Sequence, residues 1–398
     1  MVTRNCIIRG ALMCVALLTA LGCGSRVEFT EKVLDTPHHH VANGYKLLRA
    51  EKLEAAHWEF YRAAELDPYY APAQVGLALL NGYRGDFSTA FETMKRAERR
   101  SVGDIERADV YVGYLRLYLL GADRIAEDWL SRAREMFLKA TSLVPDDPSA
   151  YFFMGLAEKK AYALEQAAEQ FARVLELKGE YWSEALAEAQ QVGKIRSARP
   201  QTEIGRRIAL LNEITRAEVA ALFIEELQLQ KFIRPRGAQK TTAKGRSPGT
   251  AGPANGPPRP VVTDIKGHVF ERQINLVGAI GIKGLETFQD RSFLPNKMMT
   301  RWEYSLIMAD ILAKITQNDA LADRFRGMAS PYPDVHSELP YFGAVMLCTT
   351  YGILDARVGN GREFDPMGPV SGSEALLAIR AVQSLAEPSL HTPTRSGQ

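Results

Sequence analysis

Small and apolar residues recur along this chain at fixed spacing, and two different periods divide it. In the first, Gly44, Ala56, Phe60, Ala63 and Pro68 are answered 34 residues on by Ala78, Ala90, Met94 and Ala97. The set returns as Gly121, Ala133, Phe137, Ala140 and Pro145, and 34 residues later as Gly155, Ala167 and Phe171. The apolar positions between these landmarks follow helical periodicity, so residues 41–178 are expected to form paired helices. Small residues let antiparallel helices approach, and an aromatic ring fills the space that is left. Asp67-Pro68 and Asp147-Pro148 stop helices where a turn is due. The spacing breaks between Arg100 and Glu127, where an insertion or irregular loop is expected.

The second period is 71 residues. It separates Phe293 from Phe364, Pro295 from Pro366, Gly281-Ile282 from Gly352-Ile353, and Thr300–Glu303 from Ser371–Glu374. Both copies read as a helix ending at Gly-Ile, a turn, a Phe-x-Pro stretch and a second helix. The second helix starts with a capping box, Thr300 with Glu303, and the same box stands upstream as Thr215 with Glu218. Ser371 and Glu374 keep its two ends. Capping explains these pairs but not the arginine that follows the cap, since a cation at a helix N-terminus opposes the macrodipole. Arg216 and Arg301 therefore call for another role, which Gly372 in the third copy lacks.

The 34-residue pattern resembles the tetratricopeptide (TPR) family. Thr215-Arg216-Ala217-Glu218, Thr300-Arg301-Trp302-Glu303, Gly-Ile and Phe-x-Pro resemble the S-layer homology (SLH) family. The resemblances imply a mainly α protein, a TPR helical superhelix followed by a three-repeat SLH helical module. The repeats are placed at 180–232, 261–316 and 330–386, followed by a tail at 387–398. The first is degenerate: its leading helix, Glu184 to Val192, is expected to end near Gly193-Lys194-Ile195, and Ile208 and Leu210 stand where Phe-x-Pro should be. The helix from Thr215 is expected to run to about Lys231. The SLH resemblance implies docking on peptidoglycan or anionic wall polysaccharide, with Arg216 and Arg301 in the groove. Arginine suits carboxylate-bearing ligands because its fork donates two parallel charge-assisted hydrogen bonds. Asp264 and Asp334 resemble the family's leading Asp and read as groove residues or helix caps. His268 and Phe270 are candidate sugar contacts. The TPR resemblance implies a protein or peptide client on the concave face, where Tyr45, Tyr69, Tyr70, Tyr83, Tyr111, Tyr114, Tyr118 and Tyr151 are candidate lining residues, though most are expected in the core.

The N-terminus changes the setting. Arg4 and Arg9 precede the apolar run Gly10 to Leu21, which reads as a signal peptide over 1–22. The following Cys23 resembles a lipoprotein acylation site, implying a lipidated tether over 23–40 and membrane attachment. Gly24-Ser25 lacks the Asp that the lipoprotein family uses for inner-membrane retention, so the periplasmic face of the outer membrane is expected. His38-His39-His40 is read as solvated tether, with no metal site. Residues 233–260 carry Arg234, Arg236, Lys240, Lys244, Arg246 and Arg259 without an acid and read as a basic disordered insert.

Composition then removes several classes. A net charge of +2 with 46% hydrophobic and 24% charged residues gives no basic excess for nucleic acid. Of four cysteines, only Cys348 is left after the signal and the lipid candidate, so no internal disulfide is available and a buried thiol is expected. No nucleophile elbow, phosphate loop or His-Glu-x-x-His is present, and the acidic pairs Asp146-Asp147 and Glu225-Glu226 read as turns or solvated faces. No catalytic residue and no cofactor are expected. Three functions stay open: a wall-anchored lipoprotein that recruits a partner, a TPR adaptor of an envelope assembly with a structural SLH-like part, and an accessory wall-processing enzyme.

Overall fold

The structure, a computed structural model, describes residues 35–233, 262–357 and 362–390. The protein is mainly helical, and among the described residues no β-strand forms; two isolated bridges, Thr215–Met298 and Thr300–Pro369, are the nearest approach. Two compact units divide between Ala157 and Glu158.

The first unit is built of helical hairpins: α1 (Pro37–Arg49), α2 (Leu53–Leu66), α3 (Ala71–Tyr83), α4 (Phe87–Arg100), α5 (Gly103–Gly121) and α6 (Trp129–Leu143), with α7 (Pro148–Lys160) running across the division. Helix α1 starts earlier than the tether reading allowed. Thr36 caps it by accepting from the His39 amide at 3.2 Å, and Pro37 fills the first turn, where no N–H is needed. The three histidines are therefore helical, and His40 is bound between Asp35 (3.0 Å) and Glu59 (2.6 Å).

The small-residue logic of the sequence holds at Phe60, which is fully buried. A Cβ added at Gly44 would lie 2.6 Å from its ring, and one at Gly76 would be closer still. Glycine at these two sites is what lets α1 and α3 close on the ring. Gly76, rather than Ala78, is the contact, although Ala78 is buried beside it. Of the insertion or irregular loop expected between Arg100 and Glu127, the insertion is what occurs: the segment is the 19-residue helix α5 followed by a single 3-10 turn, Ala122–Arg124. Within it Gly113 makes the close approach, 2.7 Å from the Met94 methyl for an added Cβ, whereas Gly121 sits at the helix end against Ile125. The fixed spacing pointed to the wrong glycine because α5 is longer than its predecessors. Helices α1, α3 and α5 lie side by side, each backed by its partner α2, α4 or α6.

The second unit holds α8 (Leu164–Leu177), α9 (Trp182–Ala198), α10 (Glu203–Ala209), α11 (Arg216–Glu225), α12 (Leu229–Phe232), α13 (Glu271–Ile280), α14 (Arg301–Thr316), α15 (Phe342–Thr350) and α16 (Gly372–Leu390), with a 3-10 turn at Ala322–Phe325. Helix α9 passes through Gly193 without stopping and ends at Arg199, φ 44°. The helix from Thr215 stops at Glu225 and restarts after Gln228, φ 54°. The Gly-Ile turns behave as expected: Gly281 and Gly352 adopt φ 76° and 64°, and Ile282 and Ile353 are buried behind them.

Helices α11, α14 and α16 form the middle of this unit. Phe223 stacks on Tyr304 at 6.1 Å, and the Tyr304 hydroxyl, fully buried, donates to the Ala375 carbonyl at 3.0 Å. At the helix starts the backbone closes a ring. The Ile214 amide donates to Val370 (3.0 Å), Val370 to Met299 (3.1 Å) and Met299 to Ile214 (2.9 Å). All three residues are fully buried. This cyclic set relates the three repeats by a pseudo-threefold arrangement, each copy satisfying the next.

Candidate functional site: the clamped helix starts

The helix starts named by the sequence are where the second unit concentrates its polar chemistry. Both complete capping boxes form: the Thr215 amide donates to Glu218 at 2.7 Å and the Thr300 amide to Glu303 at 3.1 Å. The third copy keeps half of it. The Glu374 amide donates to Ser371 Oγ at 3.2 Å, but the Glu374 carboxylate turns away to Arg301.

The arginines are the main correction. Arg216 is 5% exposed and Arg301 is sealed from solvent. Arg216 reaches from the first repeat into the second, donating Nε to the Phe293 carbonyl (2.9 Å), Nη1 to Gly284 (2.7 Å) and Nη2 to Glu286 (3.1 Å). Arg301 reaches from the second into the third, donating Nε to Phe364 (2.8 Å), Nη2 to Asp355 (2.5 Å) and Nη1 to the Glu374 carboxylate. The Phe293 and Phe364 rings lie under the guanidinium carbons at 4.8 and 4.6 Å. Burial lowers both pKa values, that of Arg301 to about 10. Their donors are spent on carbonyls that a loop cannot satisfy by itself, so neither guanidinium is presented to a wall ligand.

Asp264 and Asp334 complete the same device and cap no helix. Asp264 accepts from the Phe293 (2.8 Å) and Leu294 (2.7 Å) amides, and Asp334 from Phe364 (3.0 Å) and Asp365 (2.6 Å). Leu294 and Asp365 both sit at positive φ, 55° and 59°. Each Phe-x-Pro loop is thus held by the aspartate of its own repeat on its N–H side and by the preceding repeat's arginine on its C=O side. His268 accepts from the Phe270 amide at 3.1 Å, and Phe270 is buried, so its ring offers no surface for a sugar.

Gly372 has a steric cause. An added Cβ there would overlap the Ile208 carbonyl oxygen, while the Gly372 amide donates to Leu211 at 2.9 Å. Helix α10 occupies the place where a Phe-x-Pro loop would leave room for an arginine.

Other groups depart from what the sequence pattern implies. Glu226, taken for a solvated face, is 1% exposed and accepts from the Gln201 (3.0 Å) and Thr202 (2.8 Å) amides, the Thr202 hydroxyl (2.7 Å) and Arg380. Burial raises its pKa, but these donors outweigh that and leave it lowered. Arg380 also donates to the Ala198 carbonyl at 2.7 Å, so it ties α16 to the end of α9. No local motif marks that pair. Cys348 is buried as expected, with burial pushing its thiol up to about 12. A cavity of about 650 Å³ opens between α14, the 3-10 turn and α15, lined by Lys283, Asp310, Asp319, Arg326 and Glu338. Asp310 is already paired with Lys314. Among the described residues no cluster suited to a metal ion occurs, and no helix is long and apolar enough to cross a membrane.

In the first unit the tyrosines divide. Tyr114 is buried, Tyr69 is exposed beside Arg100 and Tyr83 is exposed. Tyr45 and Phe153 flank Arg116, a residue the sequence did not single out. Cys23, the signal peptide and most of the basic insert lie outside the described residues.

No family model and no curated protein matches the chain. Among solved structures it is similar to the Pseudomonas aeruginosa pilF protein, at 19% identity over 49% of this chain and 90% of that one, with a TM-score of 0.29.

Proposed function

We propose that this protein is a non-enzymatic adaptor of the cell envelope. Lipid on Cys23 holds it at the periplasmic face of the outer membrane, the TPR-like hairpins take a protein partner, and the three-repeat module is a closed structural body. The observation that carries this reading is the spending of Arg216 and Arg301 on internal carbonyls. The wall-anchoring alternative relied on those two groups for its grip on anionic sugars or peptide stems. With them withdrawn, we assign recognition to the hairpin unit, where Tyr69 and Tyr83 are exposed.

Sedimentation of the full chain with purified peptidoglycan sacculi tests it. The protein is expected to stay in the supernatant at physiological salt; pelleting with the sacculi would return the wall-tether reading. Palmitate labelling checks the membrane arm, with incorporation expected for the natural chain and lost in Cys23→Ser.

A further inference from the structure

The described chain begins fastened to one place. Asp35 accepts from Arg62 Nη2 at 2.7 Å and Nε at 3.1 Å, and it pairs with His40 at 3.0 Å. Residue 62 lies four positions beyond Trp58 on α2, on the same helix face. The chain therefore enters the hairpin unit one turn from Trp58.

That face is turned away from Ala56, Phe60 and Ala63, the buried residues of α2, in the layer behind α1, α3 and α5. On it Trp58 is 71% exposed and Tyr61 45%, and the two rings meet edge-on at 6.4 Å. Neither ring contributes its apolar area to the core, so that area is open to burial elsewhere. The charges around them are already matched: Arg62 pairs with Asp35 and Glu65, and Arg84 with Glu54. Amphipathic rings among neutralised charges suit the boundary between lipid head groups and acyl chains. Trp and Tyr favour it because the ring body leaves water while the N–H or hydroxyl stays hydrated.

We infer that the Trp58–Tyr61 face of α2 docks on the lipid bilayer, which turns the layer of α1, α3 and α5 away from the membrane. This rests on the Cys23 reading and adds an orientation to it. Cys23 stands twelve residues before Asp35, and twelve residues span at most about 40 Å when extended. An acyl anchor at that distance holds α2 near the bilayer, at an effective concentration that makes a weak contact sufficient. A protein client has no such constraint toward this face. With the neighbouring charges paired, the contact needs no anionic lipid and is insensitive to salt.

The full chain reconstituted in phosphatidylcholine vesicles tests the docking, with bromine near the glycerol end of the acyl chains as a contact quencher. Tryptophan emission is expected to fall relative to unbrominated vesicles. The fall is expected to vanish in Trp58→Phe, which keeps an apolar ring but removes one of the four tryptophans. Tyr61→Lys is expected to reduce it, and high salt to leave it unchanged. Both side chains are exposed, so neither substitution disturbs the core. No fall, an equal fall in Trp58→Phe, or a fall abolished by salt would overturn the inference. Palmitate labelling is read separately. Label without quenching defeats the docking and leaves the lipid anchor standing; quenching without label does the reverse.

Discussion

Removing Arg301 measures what the helix-start arginines are for. In Arg301→Ala the Phe364 and Asp355 carbonyls lose their donors, and the Glu374 carboxylate, only 10% exposed, loses the nearer of its two cations and keeps only Arg357 at 3.8 Å. Stranding one member of a buried ion pair costs about 3–5 kcal/mol, and each unsatisfied carbonyl adds about 1 kcal/mol where water cannot fully replace the donor. These sum to about 5–7 kcal/mol, and because Arg357 stays beside Glu374 the lower end, about 5 kcal/mol, is expected, a large share of the stability of an ordinary domain. Arg216→Ala strands three carbonyls and no carboxylate, so about 2–4 kcal/mol is expected. The ordering is sharper than either figure. Arg301→Ala/Glu374→Gln should recover part of the loss, since the stranded charge is gone. Trp302, stacked on Tyr341 at 5.2 Å, reports on this unit when Trp58, Trp129 and Trp182 are changed to Phe. Urea titrations of its fluorescence give the differences. A loss of under about 1 kcal/mol for Arg301→Ala, the value of an exposed ion pair, would refute the clamp and make the arginine available for a ligand again.

Three further outcomes follow from the same packing. Gly372→Ala should destabilise the second unit by about 3 kcal/mol, because the new Cβ meets a backbone carbonyl that cannot swing aside; Gly372→Arg, which restores the motif letter, should be worse, and a melting point at or above wild type would sink the steric account. Burial works against a charged His40, but its bonds to Glu59 and Asp35 outweigh that and raise its pKa. The contact then stabilises the α1–α2 hairpin fully below the unfolded value of about 6.5 and is lost as pH rises through the higher folded value; NMR titration of His40 should show a pKa above 6.5, and a value at or below it would be fatal. Cys348, raised to about 12 by burial, should react with a disulfide reagent only at the rate of unfolding, so a fast stoichiometric reaction in native buffer would contradict its placement.

How much was legible follows the range of the interactions. Helix starts are local, and Thr215 with Glu218 and Thr300 with Glu303 read off directly because cap and partner are three residues apart. The Gly-Ile turns are local too, since a positive φ at Gly281 and Gly352 needs only glycine itself. The arginines are not. Arg216 finds Phe293 at a separation of 77 residues and Arg301 finds Phe364 at 63, across a boundary between repeats. A residue that the cap does not need looks free for a ligand until the loop it serves is placed. Glu226 and Arg380, 154 residues apart, had no signal at all. In the first unit the period misled for a simpler reason: a count of 34 cannot follow a 19-residue helix standing where its predecessors have 13, so it falls on Gly121 and not on Gly113.

Two departures from the repeat pattern are linked. The first repeat lacks Phe-x-Pro and the third lacks the motif arginine, and each looked like separate decay. In a closed ring of three they are a single change. The start of α16 docks on the first repeat, where the Gly372 amide meets Leu211 and the Ile208 carbonyl takes up the space of a side chain. A repeat without the loop gives an arginine no carbonyls to bind, and a buried guanidinium with no acceptors is costly. Glycine is then the residue that allows the backbone approach. Had Arg216 and Arg301 served a ligand, the loss of the loop in one repeat would place no demand on the helix start of another. That the two departures fall on facing partners is what a clamp between repeats requires.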